Sequence, residues 1–293
     1  MSKIFEALKK AGEEGQDILA VFQDEELAPR YEQAAAVSAE QPAAKLPPAP
    51  APPPLEPAIP AYRPHSLRLT VGTPVIPFDG LSPRAADQYR MIRTHILHHP
   101  GAPRMLLVSS PTPGDGKTTT TINIACALAL KSNTRVLLVD GDLRRPGVAP
   151  ILGLPEEPGL ANILDASASF EDAVAQIVEI PGLFVLPAGK TACNPTELLD
   201  SRRFTDVWAT ARQAFDYVVI DTSPVSVVAD YDLLEKAADG VVIVVRPDHT
   251  NRSLAFKALE SIPSEKNLGL VVNRALDWFL FRPDHPYYYH DYR

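Results

Sequence analysis

From about residue 105 onward, short apolar runs alternate with helical segments, and this alternation constrains the fold more than any other feature. The runs are continuous in Val, Ile and Leu, which is typical of strands buried on both faces of a sheet. Helices between such strands make the sheet parallel and cover its faces. The sequence therefore predicts an α/β fold with a doubly wound, mostly parallel sheet. The predicted strands are Met105–Ser109, Val136–Val139, Leu183–Leu186, Tyr217–Ile220, Val241–Val245 and Leu268–Val272.

Helical patterns fill most of the intervals between the predicted strands, and one more precedes them. Ser82 and Pro83 predict the start of that first helix, because a serine hydroxyl can cap the first turn and proline is favoured at the first helical position. Tyr89, Ile92 and Ile96 follow at helical spacing. The other predicted helices are Thr118–Leu130, Glu171–Ile180, Pro195–Phe215 and Ser253–Ser261.

The composition divides the chain into four segments. Residues 1–27 predict an amphipathic helix with an apolar stripe of Ile4, Phe5 and Leu8. Residues 28–65 are rich in Ala and Pro, bury too little apolar surface to order themselves, and predict a disordered linker. The predicted globular domain and C-terminal tail then span residues 66–281 and 282–293.

Charge and cysteine usage exclude several classes of protein. The formal net charge of −8 argues against a surface that binds nucleic-acid phosphates, so no nucleic-acid partner is expected. Cys126 and Cys193 form no CxxC pair, which disfavours a disulfide scaffold or a zinc site and favours a reducing cytosol. The N-terminus does not resemble a signal peptide, and no run of about 18 apolar residues is present, so a cytoplasmic protein is expected.

The strongest local signal is a glycine-rich turn between a predicted strand and the next helix. From Pro113 to Thr118 it has the sequence Pro-Gly-Asp-Gly-Lys-Thr. Its glycines let backbone amides curl round an anion, and the helix N-terminus presents its positive end to the same place. Lys117 is expected to reach the β- and γ-phosphates of a nucleotide, and the Thr118 hydroxyl to bind Mg²⁺. Pro111 replaces the first glycine of the usual GxxxxGK[ST] pattern without removing a group that the chemistry needs.

Three carboxylates follow predicted strands of the same sheet. Asp140 and Asp142 come at the end of the second predicted strand, and Asp221 follows the fourth. The carboxyl ends of parallel strands meet at one edge, where open α/β proteins bind ligands. Acidic side chains crowded there without a metal would repel one another. The sequence thus predicts a fold of the P-loop NTPase type, with Mg²⁺ held by Thr118, Asp142 and Asp221.

Together these motifs resemble those of the bacterial tyrosine kinases (BY-kinases) of capsule and exopolysaccharide export. The family's P-loop usually reads PGEGK[ST], which Pro113–Thr118 matches with aspartate in place of glutamate. Its second motif, an apolar strand followed by DxDxR, is matched by Asp140, Asp142 and Arg144, and its third by Asp221. The resemblance implies that Mg·ATP supplies a phosphoryl group to tyrosine.

Specific roles follow for residues within the resemblance, which spans roughly residues 67–293. Lys117, Asp140, Asp142 and Asp221 form the predicted catalytic set. Asp140 is the best candidate to accept the tyrosine proton, with Asp142 as the alternative, because a tyrosine with a pKa near 10 needs such help at neutral pH. Arg144 is expected to steady either the triphosphate or a neighbouring subunit. The predicted nucleotide contacts are Pro113, Gly114, Asp115, Gly116, Lys117, Thr118, Thr119 and, through the resemblance, Asn273 and Arg274.

A charged motif on the first predicted helix also matches the family. Asp87, Arg90 and Arg93 occupy the positions of ExxRxxR, which in the family mediates subunit contacts in a ring. Aspartate in place of glutamate shortens the reach by one methylene, and a solvated charged face is the alternative interpretation. The resemblance implies a homo-oligomeric ring.

The end of the chain holds a cluster of tyrosines that the resemblance identifies as autophosphorylation sites. Each phosphate would add about −1.5 to −2 charge, so a modified tail is expected to be repelled from a site lined by acids. Phosphorylation would then release a tail that had docked in a neighbour's site. The predicted sites are Tyr287, Tyr288, Tyr289 and Tyr292.

The resemblance also suggests a partner and a location. Because the sequence contains no transmembrane segment, the chain is similar to the family's split form, in which a separate membrane protein supplies an activating cytoplasmic segment. A membrane-bound polysaccharide co-polymerase is the expected partner, at the inner face of the plasma membrane. The stripe at Ile4, Phe5 and Leu8 binds that partner, binds a membrane surface, or packs on its own domain; the sequence leaves these open.

Two other functions fit parts of the pattern. A partitioning-type ATPase switch shares the deviant P-loop, but such proteins carry a lysine early in the loop, where this chain has Thr112, and they lack a tyrosine tail. A catalytically silent, nucleotide-binding regulator of a polysaccharide synthase is the second alternative. The intact Lys117, Thr118 and three strand-end acids argue against it.

Overall fold

One sheet forms the centre of the described part of the chain, which in this computed structural model comprises residues 62–69, 74–75, 83–190, 193–225, 229–247 and 249–275. Within those residues the strand order is β1-β4-β5-β3-β6-β2-β7-β8. Neighbouring strands pair in parallel except β4 and β5, which are antiparallel. The predicted mostly parallel sheet is confirmed. The strands are β1 (Arg63–His65), β2 (Met105–Ser109), β3 (Val136–Asp140), β4 (Ala175–Ile177), β5 (Leu183–Leu186), β6 (Tyr217–Asp221), β7 (Gly240–Val245) and β8 (Asn267–Val272).

Helices cover both faces of this sheet. Within the described ranges, none of them is long and apolar enough to cross a membrane. A short 3₁₀ turn, Ser264–Lys266, leads into β8. The helices are α1 (Pro83–Leu97), α2 (Lys117–Ala129), α3 (Val148–Leu152), α4 (Leu160–Leu164), α5 (Phe170–Ala173), α6 (Pro195–Leu199), α7 (Arg202–Ala214), α8 (Asp230–Ala237) and α9 (Arg252–Glu260).

Two hydrophobic clusters, one on each face, explain why the strands are apolar throughout. In β3, Val136 and Leu138 face the cluster under α1 to α3. Leu137 and Val139 face the other cluster, under α4 to α9. Because successive side chains of a strand point to opposite faces, two covered faces require a continuous apolar run.

The register of the central strands brings the predicted acids together. Asp140 pairs with Asp221 across β3 and β6, and Val108 of β2 pairs with Asp221 from the other side. The P-loop leaves the end of β2, so it starts beside these carboxylates. The sheet itself therefore gathers Lys117 and the acids at one edge.

The helix predicted for Glu171–Ile180 is wrong beyond its first turn. The structure has the short helix α5, then an extended Val174, then strand β4. The Ser169 hydroxyl accepts a hydrogen bond from the Asp172 amide at 3.1 Å and starts α5. Strand β4 pairs with both β1 and β5, and its β-branched Ile177 suits a strand. Pairing at the sheet edge outweighs the local helical pattern.

The single helix predicted for Pro195–Phe215 is also wrong, because the structure divides it into α6 and α7. Asp200 and Ser201 separate the two, and the Ser201 hydroxyl accepts from the Phe204 amide at 3.4 Å to begin α7. The helix predicted to start at Pro83 does so. Helices α2 and α9 agree with prediction to within one residue at each end.

The predicted linker extends too far, because its last residues belong to the sheet. Tyr62 is buried, and β1 pairs in parallel with β4. The Arg135 guanidinium lies 5.9 Å from the Tyr62 ring centroid, 5.1 Å from that of Phe184 and 5.2 Å from that of Phe215. Pro64 is tolerated because β1 is an edge strand of the sheet formed by the described residues. The segments predicted to form the N-terminal helix, the rest of the linker and the tyrosine tail lie outside the described residues.

Candidate active site

The P-loop joins the end of β2 to α2 and depends on two glycines. Gly114 has a φ of 89° and Gly116 a φ of 94°, conformations that favour glycine. A Cβ on Gly116 would lie 1.9 Å from Nδ2 of Asn273, so the space there is already taken. Gly116 precedes the first residue of α2 and has no side chain to cap it, which leaves the first amides of this 13-residue helix for an anion.

Three side chains from the start of α2 contact the carboxylate of Asp221. Thr118 Oγ1 donates to Asp221 Oδ2 at 2.7 Å, and Thr121 Oγ1 lies 3.1 Å from Oδ1. Lys117 Nζ lies 3.5 Å from Asp221 Oδ2. The Asp221 side chain is fully buried, and burial raises its pKa, while Lys117 and the Thr118 hydroxyl partly offset that rise. The end of β6 and the start of α2 therefore form one polar cluster.

Asp142 completes the surroundings of Lys117. Its Oδ2 lies 3.2 Å from Lys117 Nζ, and its Oδ1 accepts the Arg145 amide at 3.1 Å. Burial would lower the pKa of Lys117, but the charges of Asp221 and Asp142 outweigh it and raise the pKa. The lysine is thus held as a cation.

Asp140 lies beside this cluster and bonds mainly to backbone. Its Oδ2 accepts the amides of Gly147 and Val148, both at 2.9 Å, and its Oδ1 accepts the Asp142 amide at 3.3 Å. Burial, together with the charge of Asp221, raises the pKa of Asp140 to about 7, although the amide bonds oppose the shift. Its carboxylate is completely buried, whereas that of Asp142 is 6% exposed.

The P-loop also contains a carboxylate of its own, that of Asp115, which holds the loop in place. Its Oδ2 accepts the amide and hydroxyl of Thr112, each at 2.9 Å. Its Oδ1 accepts the Thr250 hydroxyl at 2.6 Å and lies 2.9 Å from Nδ1 of His249. Asn273 Nδ2 donates to the Asp115 carbonyl at 2.9 Å. The loop after β7 and the end of β8 therefore fix the shape of the P-loop.

Arg144 does not point into the P-loop cluster. Its Nε lies 2.7 Å from Asp230 Oδ2, at the start of α8. Its Nη2 lies 2.8 Å from the Thr196 hydroxyl in α6. In this structure Arg144 thus joins three connections at the carboxyl edge of the sheet.

The remaining predicted nucleotide contacts differ in their exposure. Pro113 and Gly114 are exposed at the tip of the P-loop, and Thr119 is half-buried in α2. Arg274 has an exposed side chain and a φ of 56°, one residue after Asn273.

The charged motif on α1 makes contacts within its own chain. Asp87 forms an exposed ion pair with Arg90. Arg93 Nη1 donates to the Ala127 carbonyl at 3.2 Å, near the end of α2. In this arrangement Arg93 is tied to the helix that begins at the P-loop.

The cluster fits a magnesium ion and a polyphosphate. Thr118, Asp142 and Asp221 offer only oxygen ligands, which Mg²⁺ prefers, and the three strand-end carboxylates outnumber their one lysine. Among the described residues, no group of three or more His, Cys, Asp or Glu side chains could hold an ion by itself. Magnesium in nucleotide sites is commonly held by one or two carboxylates together with phosphate oxygens and water.

Similar proteins identify the chemistry. A family model described as an AAA domain matches residues 104–265, more than half of the chain. The tyrosine-protein kinase YwqD of Bacillus subtilis (strain 168) is 37% identical over 192 residues, covering 64% of this chain and 80% of that protein. The chain belongs to the bacterial tyrosine-protein kinases. The tyrosine-protein kinase CpsD of Streptococcus pneumoniae serotype 4 is 32% identical over 194 residues, 65% of this kinase and 85% of CpsD.

Solved structures agree with this assignment of the kinase. The crystal structure of the chimerical protein CapA2B2 is similar with a TM-score of 0.65 and 33% identity, covering 71% of this chain and 92% of that one. The kinase domain of VpsO is similar with a TM-score of 0.61 and 32% identity, covering 67% and 97%. The enzyme is thus a protein-tyrosine kinase with a P-loop nucleotide site.

Several contacts of the site are missing from the sequence-based predictions. Thr121 follows Thr118 by three residues in a helix, so helical spacing alone could have indicated that both face Asp221. His249 and Thr250 carry no such local signal. They reach Asp115 across more than 130 positions of sequence, through the pairing of β2 with β7.

Proposed function

We propose that this kinase uses Mg·ATP to phosphorylate the tyrosines of its own C-terminal tail, and thereby regulates the polymerisation and export of capsule or exopolysaccharide. The convergence at Lys117 carries the proposal. Lys117 Nζ, at a helix N-terminus, lies within 3.5 Å of the Thr118 hydroxyl and of the carboxylates of Asp142 and Asp221. The relatives named as tyrosine-protein kinases support tyrosine as the acceptor.

Phosphoryl transfer relies on positioning and charge neutralisation, which these residues supply. The loop amides and Lys117 bind the β- and γ-phosphates. Arrival of phosphate draws the ammonium away from Asp142 and Asp221 and leaves these acids, with Thr118, to hold the metal. Mg²⁺, when bound, neutralises charge on the phosphate oxygens. Clamping of Asp115 keeps the loop in the shape that binds phosphate.

A base for the tyrosine hydroxyl comes from one of the two acids that follow β3. Asp140 makes no bond to Lys117 or to Thr118, so its charge is the least neutralised by the cluster. We assign it the base role, which requires the amides of Gly147 and Val148 to release its Oδ2. Asp142, which contacts Lys117, takes the metal role. The opposite assignment remains the alternative, and the two differ in the kinetics expected of each variant.

The nucleotide base lies, in this proposal, beside the end of β8. Asn273 packs over Gly116 and bonds to the Asp115 carbonyl, which puts its amide next to the P-loop. Adenine contacts are assigned to Asn273 and Arg274.

Assembly and location complete the proposal. Asp87, Arg90 and Arg93 contact a neighbouring subunit in a ring, so that the tail of one subunit, with Tyr287, Tyr288, Tyr289 and Tyr292, reaches the site of the next. A membrane-bound polysaccharide co-polymerase activates the kinase at the inner face of the plasma membrane. The alternative of an ATPase switch is not favoured, because the relatives bear the names of tyrosine kinases.

Incubation with Mg·ATP tests the function directly. Lys117→Met removes the ammonium, whereas Lys131→Met removes an exposed lysine just beyond α2 and serves as a matched control. Phosphotyrosine is expected in the wild type and in Lys131→Met and to be absent from Lys117→Met. Release of phosphate from ATP without phosphotyrosine in any of the three would instead indicate an ATPase switch.

A further inference from the structure

An ion pair joins the two connections that follow β3 and β6, the strands whose ends bring Asp142 and Asp221 to the predicted metal site. Arg144 lies two residues after Asp142, in the connection that leaves β3. Asp230 is the first residue of α8, in the connection that leaves β6 after Asp221. A bond between Arg144 and Asp230 therefore links the chain beyond one acid to the chain beyond the other.

The geometry of this link is specific. Arg144 Nε lies 2.7 Å from Asp230 Oδ2, and Nη2 lies 3.3 Å from Oδ1, so the guanidinium contacts both carboxylate oxygens. The Thr196 hydroxyl accepts from Arg144 Nη2 at 2.8 Å and donates to Asp230 Oδ1 at 2.7 Å. The Asp230 side chain is only 3% exposed, whereas that of Arg144 is 40% exposed. The side chains of Arg144, Asp230 and Thr196 therefore all bond to one another, and the Asp230 carboxylate among them is buried.

We propose that Asp230 and Thr196 are positioning residues for the magnesium site, which act through Arg144 to set the separation of Asp142 and Asp221. This inference rests on the proposed metal roles of those two acids. Neither Asp230 nor Thr196 is assigned a contact with the metal or the nucleotide.

The other bonds of the Asp142 side chain explain how the Arg144–Asp230 pair contributes to its position. Its carboxylate bonds to the Arg145 amide, within the same connection, and to Lys117. The lysine leaves when it binds phosphate, and the Arg145 amide belongs to the same connection. On the other side of Asp142, the Gly141 amide donates to the Asp221 carbonyl at 2.8 Å and fixes the start of the connection to the end of β6. The Arg144–Asp230 pair fixes the connection to the β6 side of the site a second time, just beyond Asp142. Residues that orient metal ligands typically affect metal affinity 10- to 100-fold.

The test measures Mg²⁺ dependence of nucleotide binding rather than catalysis. Full-length protein is titrated with a fluorescent ADP analogue, once in EDTA and once at increasing Mg²⁺. Asp230→Asn is compared with Asp232→Asn, which removes the same charge from the same helical turn at an exposed position. Mg²⁺ is expected to enhance binding of the analogue, and Asp230→Asn is expected to raise the Mg²⁺ concentration that gives half of this enhancement by about tenfold. The affinity of Asp230→Asn for the analogue in EDTA is expected to match that of the wild type. Asp232→Asn is expected to match the wild type both in this affinity and in its Mg²⁺ requirement.

A second pair of variants separates positioning from folding. Thr196→Val conserves shape and removes only the hydroxyl, so it is expected to fold and to raise the Mg²⁺ requirement by a smaller factor. Arg144→Lys keeps the charge but cannot contact both carboxylate oxygens, and is expected to behave like Asp230→Asn. An unchanged Mg²⁺ requirement in Thr196→Val and Arg144→Lys would overturn the inference. Equal losses of affinity in EDTA and in Mg²⁺ would do so too, because they indicate a general structural defect.

This experiment is independent of the proposed kinase substrate. If wild-type protein binds the analogue with Mg²⁺ but makes no phosphotyrosine, the proposed function fails while the positioning role is still tested. If phosphotyrosine forms normally and Asp230→Asn binds Mg²⁺ and nucleotide like Asp232→Asn, the positioning role alone fails.

Discussion

The Thr118 hydroxyl donates a 2.7 Å hydrogen bond to Asp221 Oδ2 and so joins the first turn of the P-loop helix to the end of β6. Thr118→Val removes that donor and leaves the buried carboxylate short of a bond, which costs about 1–3 kcal/mol. It also removes the predicted metal ligand. We expect kcat/KM for ATP to fall at least about tenfold and the Mg²⁺ requirement to rise. Steady-state kinetics at several Mg²⁺ concentrations measure both.

Thr205→Val is the control for that experiment, because Thr205 is exposed on α7. It is expected to retain wild-type kinetics. Wild-type Mg²⁺ dependence in Thr118→Val would show that the hydroxyl serves only to hold Asp221.

Gly116 and Gly269 share a positive φ but differ in their surroundings. Gly116→Ala places a Cβ against Asn273 at 1.9 Å, whereas Gly269, with a φ of 118°, has nothing within 4 Å of the added atom. Both substitutions strain the backbone by about 1–2 kcal/mol. Only Gly116→Ala is expected to displace Asn273 and to weaken nucleotide binding, by more than about tenfold. Equal affinities in the two variants, measured by nucleotide titration, would contradict the close packing of Asn273 on the P-loop.

The kinetics of two variants distinguish the proposed roles of Asp140 and Asp142. If Asp140 accepts the tyrosine proton, Asp140→Asn lowers kcat by about 10²–10⁴-fold with little change in KM for ATP. Asp142→Asn is then expected to raise the Mg²⁺ requirement more than it lowers the kcat reached at saturating Mg²⁺. Asp206→Asn, on the exposed face of α7, controls for the loss of one charge. The reverse pattern would exchange the two roles.

How far the sequence predicts this site depends on the range of each contact. Asp140 and Asp221 end continuous apolar strands, so their meeting at one edge follows from strand direction alone, as does their proximity to Lys117. The clamp on Asp115 does not, because His249 and Thr250 approach from a loop that only the completed sheet brings near.

The errors in the fold have the same origin. Val174–Ile177 carries a pattern compatible with helix or strand, and pairing with β1 and β5 decides for strand. Tyr62 lies in a proline-rich stretch whose composition predicts disorder. Its ring packs against Phe184, with centroids 5.2 Å apart, and this contact across the fold cannot be inferred from local composition.

Asp239 provides a pH-dependent test of the fold away from the active site. Its Oδ2 accepts the amides of Arg104 and Met105, and its Oδ1 lies 2.7 Å from Arg212 Nη2. Burial opposes the shift, but these bonds lower the pKa of Asp239 below its usual value. A carboxyl with a lowered folded-state pKa stabilises the fold above its unfolded pKa, near 3.9, and loses that contribution as pH falls through the folded value.

Asp239→Asn is therefore expected to lower the free energy of unfolding by about 1–3 kcal/mol at pH 7. The difference from the wild type is expected to shrink as pH falls below about 4 and through the lowered folded-state pKa, where the wild-type carboxyl also becomes neutral. Urea unfolding at both pH values, with Asp206→Asn as control, measures it. A difference that stays constant with pH would mean that the charge of Asp239 contributes nothing to stability.

Mass spectrometry of the tryptic peptide Ala275–Arg293, after incubation with Mg·ATP, tests the central claim most directly. This peptide contains Tyr287, Tyr288, Tyr289 and Tyr292. Phosphate on these tyrosines in the wild type, and its absence in Lys117→Met, is the expected result. An unmodified peptide in wild-type protein that consumes ATP would contradict the account.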